Sequence, residues 1–378
     1  MALYQCLILG SPTSEQAMTF SSTLDECLGL FGLERGREYT VDRGLPAHFN
    51  DATATVAIFF GALGSVYPEA PTMARLGVPV VPVISAAAHA GVELPPELRS
   101  INALIADPVD LALTRVVGAA LQCLGLLPAQ RRVFVSYRRE ESADVALQLF
   151  EALSARHFDV FLDTHSVSAA ADFQAVLWHR LCDSDVLIML DTPDYFNSRW
   201  TTQEWGKAIA KDISMLQLVW PGHEPSRHSR LATLKRLSAD HFRGEKLTAE
   251  TVTDIALEVE RVRSVSVALR HANMVGTLRT AIEDLGGSVE GVGLKRSVVL
   301  RMPSGQPLVA YPVVGVPTSV DVQECIDLSD TRSAAVIYDH LGISNDWHRH
   351  LDWLAARVGN VKWLKRREAA WLLAEITH

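Results

Sequence analysis

Short apolar segments alternate with helical segments along the first two thirds of the chain. The clearest of these segments, 55–60, 78–84 and 185–191, are each six or seven residues long and are bounded by small or polar residues. A strand that is apolar on both faces is typical of a parallel sheet covered by helices on both sides. The alternation therefore predicts an α/β protein with parallel sheets.

Changes in this pattern divide the 378 residues into three predicted domains. The first, 1–128, is expected to be a Rossmann-like α/β domain that acts as a sensor or scaffold. The second, 131–264, repeats the strand and helix alternation after a short linker. The third, 265–378, is expected to be an α+β module, with a hairpin formed by 297–302 and 308–314. This division also predicts two separate helices, 249–263 and 267–285.

The composition indicates a cytoplasmic protein. Mean hydropathy is +0.12, yet no uncharged apolar run reaches the roughly 18 residues that a membrane-spanning helix needs. The start of the sequence lacks the basic and apolar pattern of a secretory signal. Five widely spaced cysteines without a CxxC pair predict reduced thiols rather than a disulfide framework or a zinc site.

The charge distribution argues against nucleic acid as a partner. The net charge is −9, and the first 130 residues carry 6 arginines against 12 acidic residues. Residues 131–244 are nearly neutral, with 14 basic and 15 acidic side chains. Because no segment is strongly basic, an extended nucleic-acid groove is not expected.

Polar and aromatic residues follow the predicted strands of the second domain. Ser136, Tyr137 and Arg138 come at the end of its first strand, and Asp163 comes at the end of its second. The third strand leads to a segment that contains Trp200 and Glu204, four residues apart. The carboxyl ends of parallel strands are where α/β proteins bind ligands, and the spacing places Trp200 and Glu204 on one face of a helix.

Residues 131–220 resemble a TIR domain. The resemblance rests on an ordered set of four signals rather than on any single tetrapeptide. The set comprises Phe134-Val-Ser-Tyr-Arg138-Arg, Val160-Phe-Leu-Asp163, Cys182-Asp-Ser-Asp185, and Tyr195-Phe-x-Ser-x-Trp200-x-x-x-Glu204. The resemblance implies a flavodoxin-like parallel sheet. In the loop after the second strand, where the family often has a glycine, the sequence is Ser168-Ala-Ala-Ala171, so the loop contacts are expected to differ.

The resemblance also implies an activity, because many TIR domains cleave NAD+ at the nicotinamide–ribose bond. The catalytic glutamate of the family corresponds to Glu204, and its site aromatic corresponds to Trp200. The remaining positions bordering the nucleotide pocket are Phe134, Ser136, Tyr137, Arg138, Asp163 and Phe173. NAD+ is then the substrate, and no cofactor or metal is expected.

One carboxylate is sufficient for this chemistry. Glycosidases need a second carboxyl group to protonate the leaving oxygen. Nicotinamide carries a positive charge in NAD+ and leaves as a neutral molecule, so no general acid is required. A carboxylate such as Glu204 stabilises the oxocarbenium-like transition state electrostatically, and an aromatic wall such as Trp200 stacks on a flat ring.

Three functions are compatible with these residues. The leading hypothesis is an NAD+ glycohydrolase, activated by self-association through TIR domains, that depletes NAD+ as a bacterial anti-phage effector under a phage-derived or upstream immune trigger. The first alternative is a non-catalytic TIR module for signalling or assembly. The second is an enzyme that makes a cyclic ADP-ribose signal.

The outer domains carry weaker signals. Residues 60–70 and 76–80 resemble nucleoside deoxyribosyltransferase-like domains, in which Glu69 would be a nucleotide-site residue, but a carboxylate at a helix N-terminus explains Glu69 more simply. The His and Asp residues between 339 and 352 are interpreted as solvated helix faces rather than a metal site. Four tryptophans of the third domain are expected to form its core or a partner surface: Trp347, Trp353, Trp363 and Trp371.

Overall fold

The structure is a computed structural model of the chain. It describes residues 2–47, 49, 53–106, 113–127, 130–162, 171–197, 206, 208–225, 231–329, 332–358 and 361–377, with only the backbone described at 171–176 and 376–377. The chain forms two compact units. One contains 1–127, 268–339 and 350–378, and the other contains 128–267 and 340–349.

The first sheet is parallel throughout, with the strand order β2-β1-β3-β4-β5. Its strands are β1 (Tyr4–Gly10), β2 (Tyr39–Arg43), β3 (Ala54–Phe60), β4 (Val80–Ile84) and β5 (Leu104–Ile105). The helices of this region are α1 (Ser14–Gly29), α2 (Ala70–Leu76), α3 (Ala90–Glu93) and α4 (Thr114–Leu124).

Local sequence explains how β1 leads into α1. Gly10 ends β1 with φ +75°, and a Cβ at this position would lie 2.3 Å from the Phe60 carbonyl oxygen. Only glycine fits this backbone conformation and this close approach. The helix then starts with a capping box, in which the Thr13 hydroxyl accepts from the Gln16 backbone N–H and the Gln16 side chain accepts from the Thr13 N–H.

The second sheet has the same parallel topology, with the order β7-β6-β8-β9-β10. Its strands are β6 (Arg132–Ser136), β7 (Asp159–Leu162), β8 (Val186–Asp191), β9 (Ser214–Val219) and β10 (Thr233–Arg236). Helices α5 (Arg139–Ser154) and α6 (Ala171–Asp183) connect its first three strands, and β11 (Phe242–Arg243) pairs with β12 (Lys246–Leu247) before helix α7 (Ala249–Asp284). Numbered within this sheet alone, the order is 2-1-3-4-5, which is the flavodoxin-like arrangement.

The third sheet is mixed. Its first two pairings are antiparallel and its last two are parallel. Its strands, in spatial order, are β13 (Ser288–Val292), β14 (Val298–Arg301), β15 (Pro307–Val313), β16 (Ser333–Tyr338) and β17 (Val361–Lys365). The remaining helices are α8 (Ser319–Ser329), α9 (Asn345–Val358) and α10 (Ala369–Thr377). The predicted fold class, two parallel α/β sheets followed by a mixed α+β region, is confirmed.

The first and third sheets belong to the same compact unit, in which Arg332 connects distant parts of the sequence. Its guanidinium donates to the Ser100 carbonyl oxygen at 2.6 Å and to the Asn102 side-chain oxygen at 3.0 Å. The Asn102 amide in turn donates to the Leu328 carbonyl oxygen at 2.6 Å. These contacts join residues more than 200 positions apart. The predicted division into three domains stays a prediction.

The amino-terminal edge of the second sheet contains a buried network of charges. Arg131 pairs with Glu260, and Arg263 pairs with Glu260 at 3.2 Å and with Asp185 at 3.1 Å. Arg263 also donates to the Gln130 carbonyl oxygen at 2.8 Å. The four charged side chains are at most 2% exposed. Since each charge faces an opposite one, the network ties the starts of β6 and β8 to α7.

The structure corrects several details of the sequence prediction. The two helices expected at 249–263 and 267–285 are one helix, α7, because no glycine or proline interrupts the sequence between Ala249 and Val275. Of the tryptophans expected to form a core or a partner surface, Trp353 and Trp371 are 54% and 78% exposed and do not belong to the core, which leaves the partner surface as a prediction for these two. Trp363 does pack inward, edge-on to Tyr338. Of the helices within the described ranges, none combines the length and apolarity required to cross a membrane.

Candidate functional site

The carboxyl ends of β6, β8 and β9 lie side by side at one edge of the second sheet. Strand β8 pairs with β6 from Val133↔Val186 to Ser136↔Met189, and with β9 from Val186↔Ser214 to Asp191↔Val219. The chain reverses its direction of travel across the sheet between β6 and β8. This is the switch point at which open α/β sheets bind ligands.

Ser136 lies at the end of β6, where Tyr195 from the loop after β8 contacts it. The Tyr195 hydroxyl donates a 2.7 Å hydrogen bond to Ser136 Oγ, and both side chains are fully buried. The Tyr195 ring also packs edge-on against Phe196, with centroids 5.0 Å apart. The predicted site residue Ser136 is therefore held by a partner at the switch point.

Arg138 connects the loops that follow β6 and β8. Its guanidinium donates to the Asp194 carbonyl oxygen at 2.8 Å and lies 3.5 Å from the Glu140 carboxylate. The next turn adds a second link, since the Thr192 hydroxyl donates to Glu141. About a third of the Arg138 side chain is exposed, so it adds accessible positive charge at this edge.

Two other predicted site residues lie in the hydrophobic core. Phe134 is fully buried and packs against Phe161, with ring centroids 5.3 Å apart. Its neighbours include Leu177 and Tyr195. Tyr137 is 9% exposed and belongs to the core on the opposite face of the sheet. Both aromatic rings therefore pack in the hydrophobic cores that cover the two faces of the sheet.

The remaining predicted site residues are not described. Trp200, Glu204 and Asp163 lie outside the described residues, as does the side chain of Phe173, whose backbone is part of α6. Their roles stay predictions. Glu69, from the first domain, directly precedes α2 and makes no side-chain capping bond there.

A buried polar cluster at the same edge was missed by the sequence analysis. It comprises Asp191 at the end of β8, Gln217 in β9 and His223 in the turn after β9. The Gln217 amide donates to Asp191 Oδ2 at 2.5 Å, and His223 Nε2 lies 3.3 Å from Asp191 Oδ1. Asp191 and Gln217 are fully buried. The sequence signal for this cluster is a charged and an amide residue within otherwise apolar strands.

This cluster leaves three buried polar atoms without a hydrogen bond: Asp191 Oδ1, Gln217 Oε1 and His223 Nε2. The Asp191 and His223 atoms are within ion-pair distance but are not aligned as a hydrogen bond. Burial raises the pKa of Asp191 above its usual range, while Gln217 and His223 oppose that shift. Buried polar atoms without partners are rare in folded proteins, and groups with perturbed pKa values cluster at functional sites.

Comparison with known protein families agrees with this architecture. A family model described as the TIR domain matches residues 133–250. That match begins one residue into β6 and ends in the first turn of α7, so it covers the second sheet apart from Arg132. The chain therefore contains a TIR domain, and its flavodoxin-like sheet is the TIR sheet. None of the curated proteins compared with the chain matches it significantly. The resemblance of the first domain to deoxyribosyltransferase-like proteins stays a prediction.

Proposed function

We propose that the protein is an NAD+ glycohydrolase that cleaves the nicotinamide–ribose bond in its TIR domain. The observation that carries the proposal is the TIR match at 133–250, a span that contains Glu204. The resemblance of the sequence to TIR domains assigns the family's catalytic glutamate to this residue. Trp200 and Glu204 follow strand β8 in the sequence, and β8 ends at the switch point of the sheet.

The chemistry needs one well-placed carboxylate. As the bond to nicotinamide breaks, its electron pair stays with the ring nitrogen, and nicotinamide leaves uncharged. Positive charge develops on the ribose, where the carboxylate of Glu204 stabilises it. A residue of this kind typically contributes a factor of about 100 or more to the rate. Arg138, which is partly exposed at the same edge, offers a cation to the diphosphate of NAD+.

The proposed biological role follows from the loss of NAD+ in this reaction. Continuous hydrolysis depletes a cofactor that every cell needs, so the activity must be restrained until a trigger arrives. We propose that self-association of TIR domains supplies this control, in a cytoplasmic anti-phage effector that responds to a phage-derived or upstream immune signal. The acidic first domain then serves as a sensor or scaffold.

The decisive experiment incubates the purified full chain with NAD+ and measures nicotinamide release. The assay covers a series of protein concentrations, with and without polyethylene glycol as a crowding agent. Glu204→Gln tests the site, and Glu245→Gln, at an exposed residue in the turn between β11 and β12 of the same unit, is the matched control. We expect release to require Glu204 and to rise more than proportionally with protein concentration.

The products decide between the alternatives. ADP-ribose supports the hydrolase, whereas a cyclic product identifies a signal-producing enzyme. Nicotinamide release that survives Glu204→Gln contradicts the site assignment. Absence of release under every condition, together with reversible self-association, identifies a non-catalytic assembly module.

A further inference from the structure

The carboxylate of Asp191 lies between an amide and an imidazole. Gln217 fixes one carboxylate oxygen of Asp191 at 2.5 Å, and the other oxygen faces His223 Nε2 at 3.3 Å. Asp191 is fully buried, whereas the His223 side chain is 19% exposed. The carboxylate is thus fixed inside the sheet, and the ring it faces reaches the surface.

This arrangement decides where the imidazole carries its proton. A carboxylate next to Nε2 favours the tautomer with hydrogen on Nε2, which leaves Nδ1 with a free lone pair. Within the described part of the chain, Nδ1 has no hydrogen-bond partner. The imperfect alignment of the pair is compatible with this role, because such hydrogen bonds are often long without substrate and tighten in the complex.

His223 lies at the switch point of the sheet. Its turn begins where the Trp220 backbone N–H donates to the Asp191 carbonyl oxygen at 3.0 Å, so it lies beside the end of β8. The loop that leaves β8 also carries Tyr195, which binds Ser136 at the end of β6. His223, Asp191 and Ser136 therefore belong to three adjacent strand ends at the switch point.

We propose that His223, oriented by Asp191, accepts the proton of the water molecule that captures the ribosyl cation. This inference rests on the proposed function. The water oxygen bonds to the anomeric carbon, one water O–H bond breaks, and its proton moves to Nδ1. Nicotinamide has already left with the electron pair of the broken carbon–nitrogen bond. Asp191 is a positioning residue in this scheme, and the net products are ADP-ribose, nicotinamide and a proton.

The test compares capture of the ribosyl cation by water with its capture by a nucleophile that has no proton to lose. Added pyridine captures the same cation through its ring nitrogen, and this exchange needs no proton acceptor. In His223→Asn we expect hydrolysis to fall about 100-fold or more, the usual contribution of a proton-transferring side chain. Pyridine exchange should stay close to its wild-type rate, so the exchange-to-hydrolysis ratio rises. Asp191→Asn should raise that ratio in the same direction by a smaller factor.

Controls distinguish this role from a structural one. His157→Asn makes the same substitution at an exposed residue before β7, at the opposite edge of the sheet, and should leave the ratio unchanged. Free imidazole should restore hydrolysis in His223→Gly but not in Glu204→Gln. Where pyridine exchange is too slow to measure, this rescue distinguishes a proton-accepting role of His223 from a structural one.

Three results would overturn the proposal: wild-type hydrolysis in His223→Asn, a parallel loss of hydrolysis and exchange, or absence of imidazole rescue. A wild-type chain that never releases nicotinamide refutes the proposed function itself. A wild-type chain that is active, with a ratio insensitive to His223, refutes only this inference.

Discussion

The two edges of the TIR sheet bury polar groups in opposite ways. At the amino-terminal edge, Arg131 and Arg263 each face an acidic partner and the four charges are nearly inaccessible. At the carboxyl-terminal edge, Asp191 and Gln217 are equally buried but keep oxygen atoms without hydrogen bonds. The amino-terminal edge therefore neutralises its buried charges in pairs, although Arg131 Nε is itself without a hydrogen bond, whereas the carboxyl-terminal edge buries acceptor oxygens that, among the described residues, face no arginine.

The difference separates stability from chemistry. Removing one partner of a buried ion pair is strongly destabilising, because it leaves an uncompensated charge in the interior. Groups that keep free hydrogen-bonding capacity add little stability, but they are available to react with a ligand. Substitutions at the amino edge should therefore act mainly on the free energy of unfolding, whereas substitutions at the carboxyl edge should change stability less and turnover more.

The largest effect is expected at the amino edge. Arg263→Met leaves Asp185 buried without its partner from α7 and leaves Glu260 with one arginine, which should lower the free energy of unfolding by about 3–5 kcal/mol. Urea denaturation measures this change. Arg261→Met is the matched control, since Arg261 is 49% exposed and its ion pair is with Glu258 on the same helix, and it should cost less than about 1 kcal/mol. Equal costs for the two variants would remove the distinction between the edges.

The next effect is on turnover. Glu204→Ala should reduce nicotinamide release about 100-fold, because the charge that develops on the ribose loses its stabilising carboxylate. Its denaturation midpoint should remain that of the wild type. A variant that loses activity and stability together would show that Glu204 is a structural residue.

A smaller effect is expected for the Tyr195–Ser136 hydrogen bond, which contributes to stability at the edge that carries the proposed chemistry. Tyr195→Phe removes the hydroxyl that donates to Ser136 and should cost about 1 kcal/mol of unfolding free energy. A double-mutant cycle with Ser136→Ala isolates this pair. A coupling energy near zero would mean that the hydrogen bond does not stabilise the switch point.

The smallest effect depends on pH. Because burial raises the folded-state pKa of Asp191, its contribution to stability is complete below the unfolded value of about 3.9 and is lost as pH rises through the folded value. Asn does not titrate, so Asp191→Asn should gain stability relative to wild type between about pH 3 and pH 7. Denaturation at both pH values measures the change. Asp194→Asn, half-exposed in the next loop, controls for loss of a carboxylate. If Asp191→Asn instead loses stability relative to the wild type between about pH 3 and pH 7, burial does not raise the pKa of Asp191 as inferred.

The central strands were predictable because their composition decides their position. Strands β3 and β8 are buried along their whole length, and a continuous apolar segment fits only the middle of a parallel sheet. Strands β2, β10 and β17 were missed. Each is short, mixes polar with apolar residues and lies at a sheet edge, where burial imposes no clear pattern on the sequence.

Site residues were predictable from the sequence only where they directly follow a predicted strand. Ser136 and Arg138 follow a strand directly, so the rule for parallel sheets indicates their edge. The Asp191 cluster could not be found in this way, because its members are separated by 26 and 6 positions and meet only once β8 and β9 pair. A polar residue inside an apolar strand marks a special environment, but it does not identify its partner.

The order of synthesis delays the long-range contacts of Arg332. Ser100 emerges from the ribosome 232 residues before Arg332 does. At about 5–20 residues per second, the first sheet waits roughly 12–46 s for this partner. The unit that contains the first sheet is therefore completed only after Arg332 has been synthesised, and a chain interrupted before Arg332 leaves these two contacts unmade.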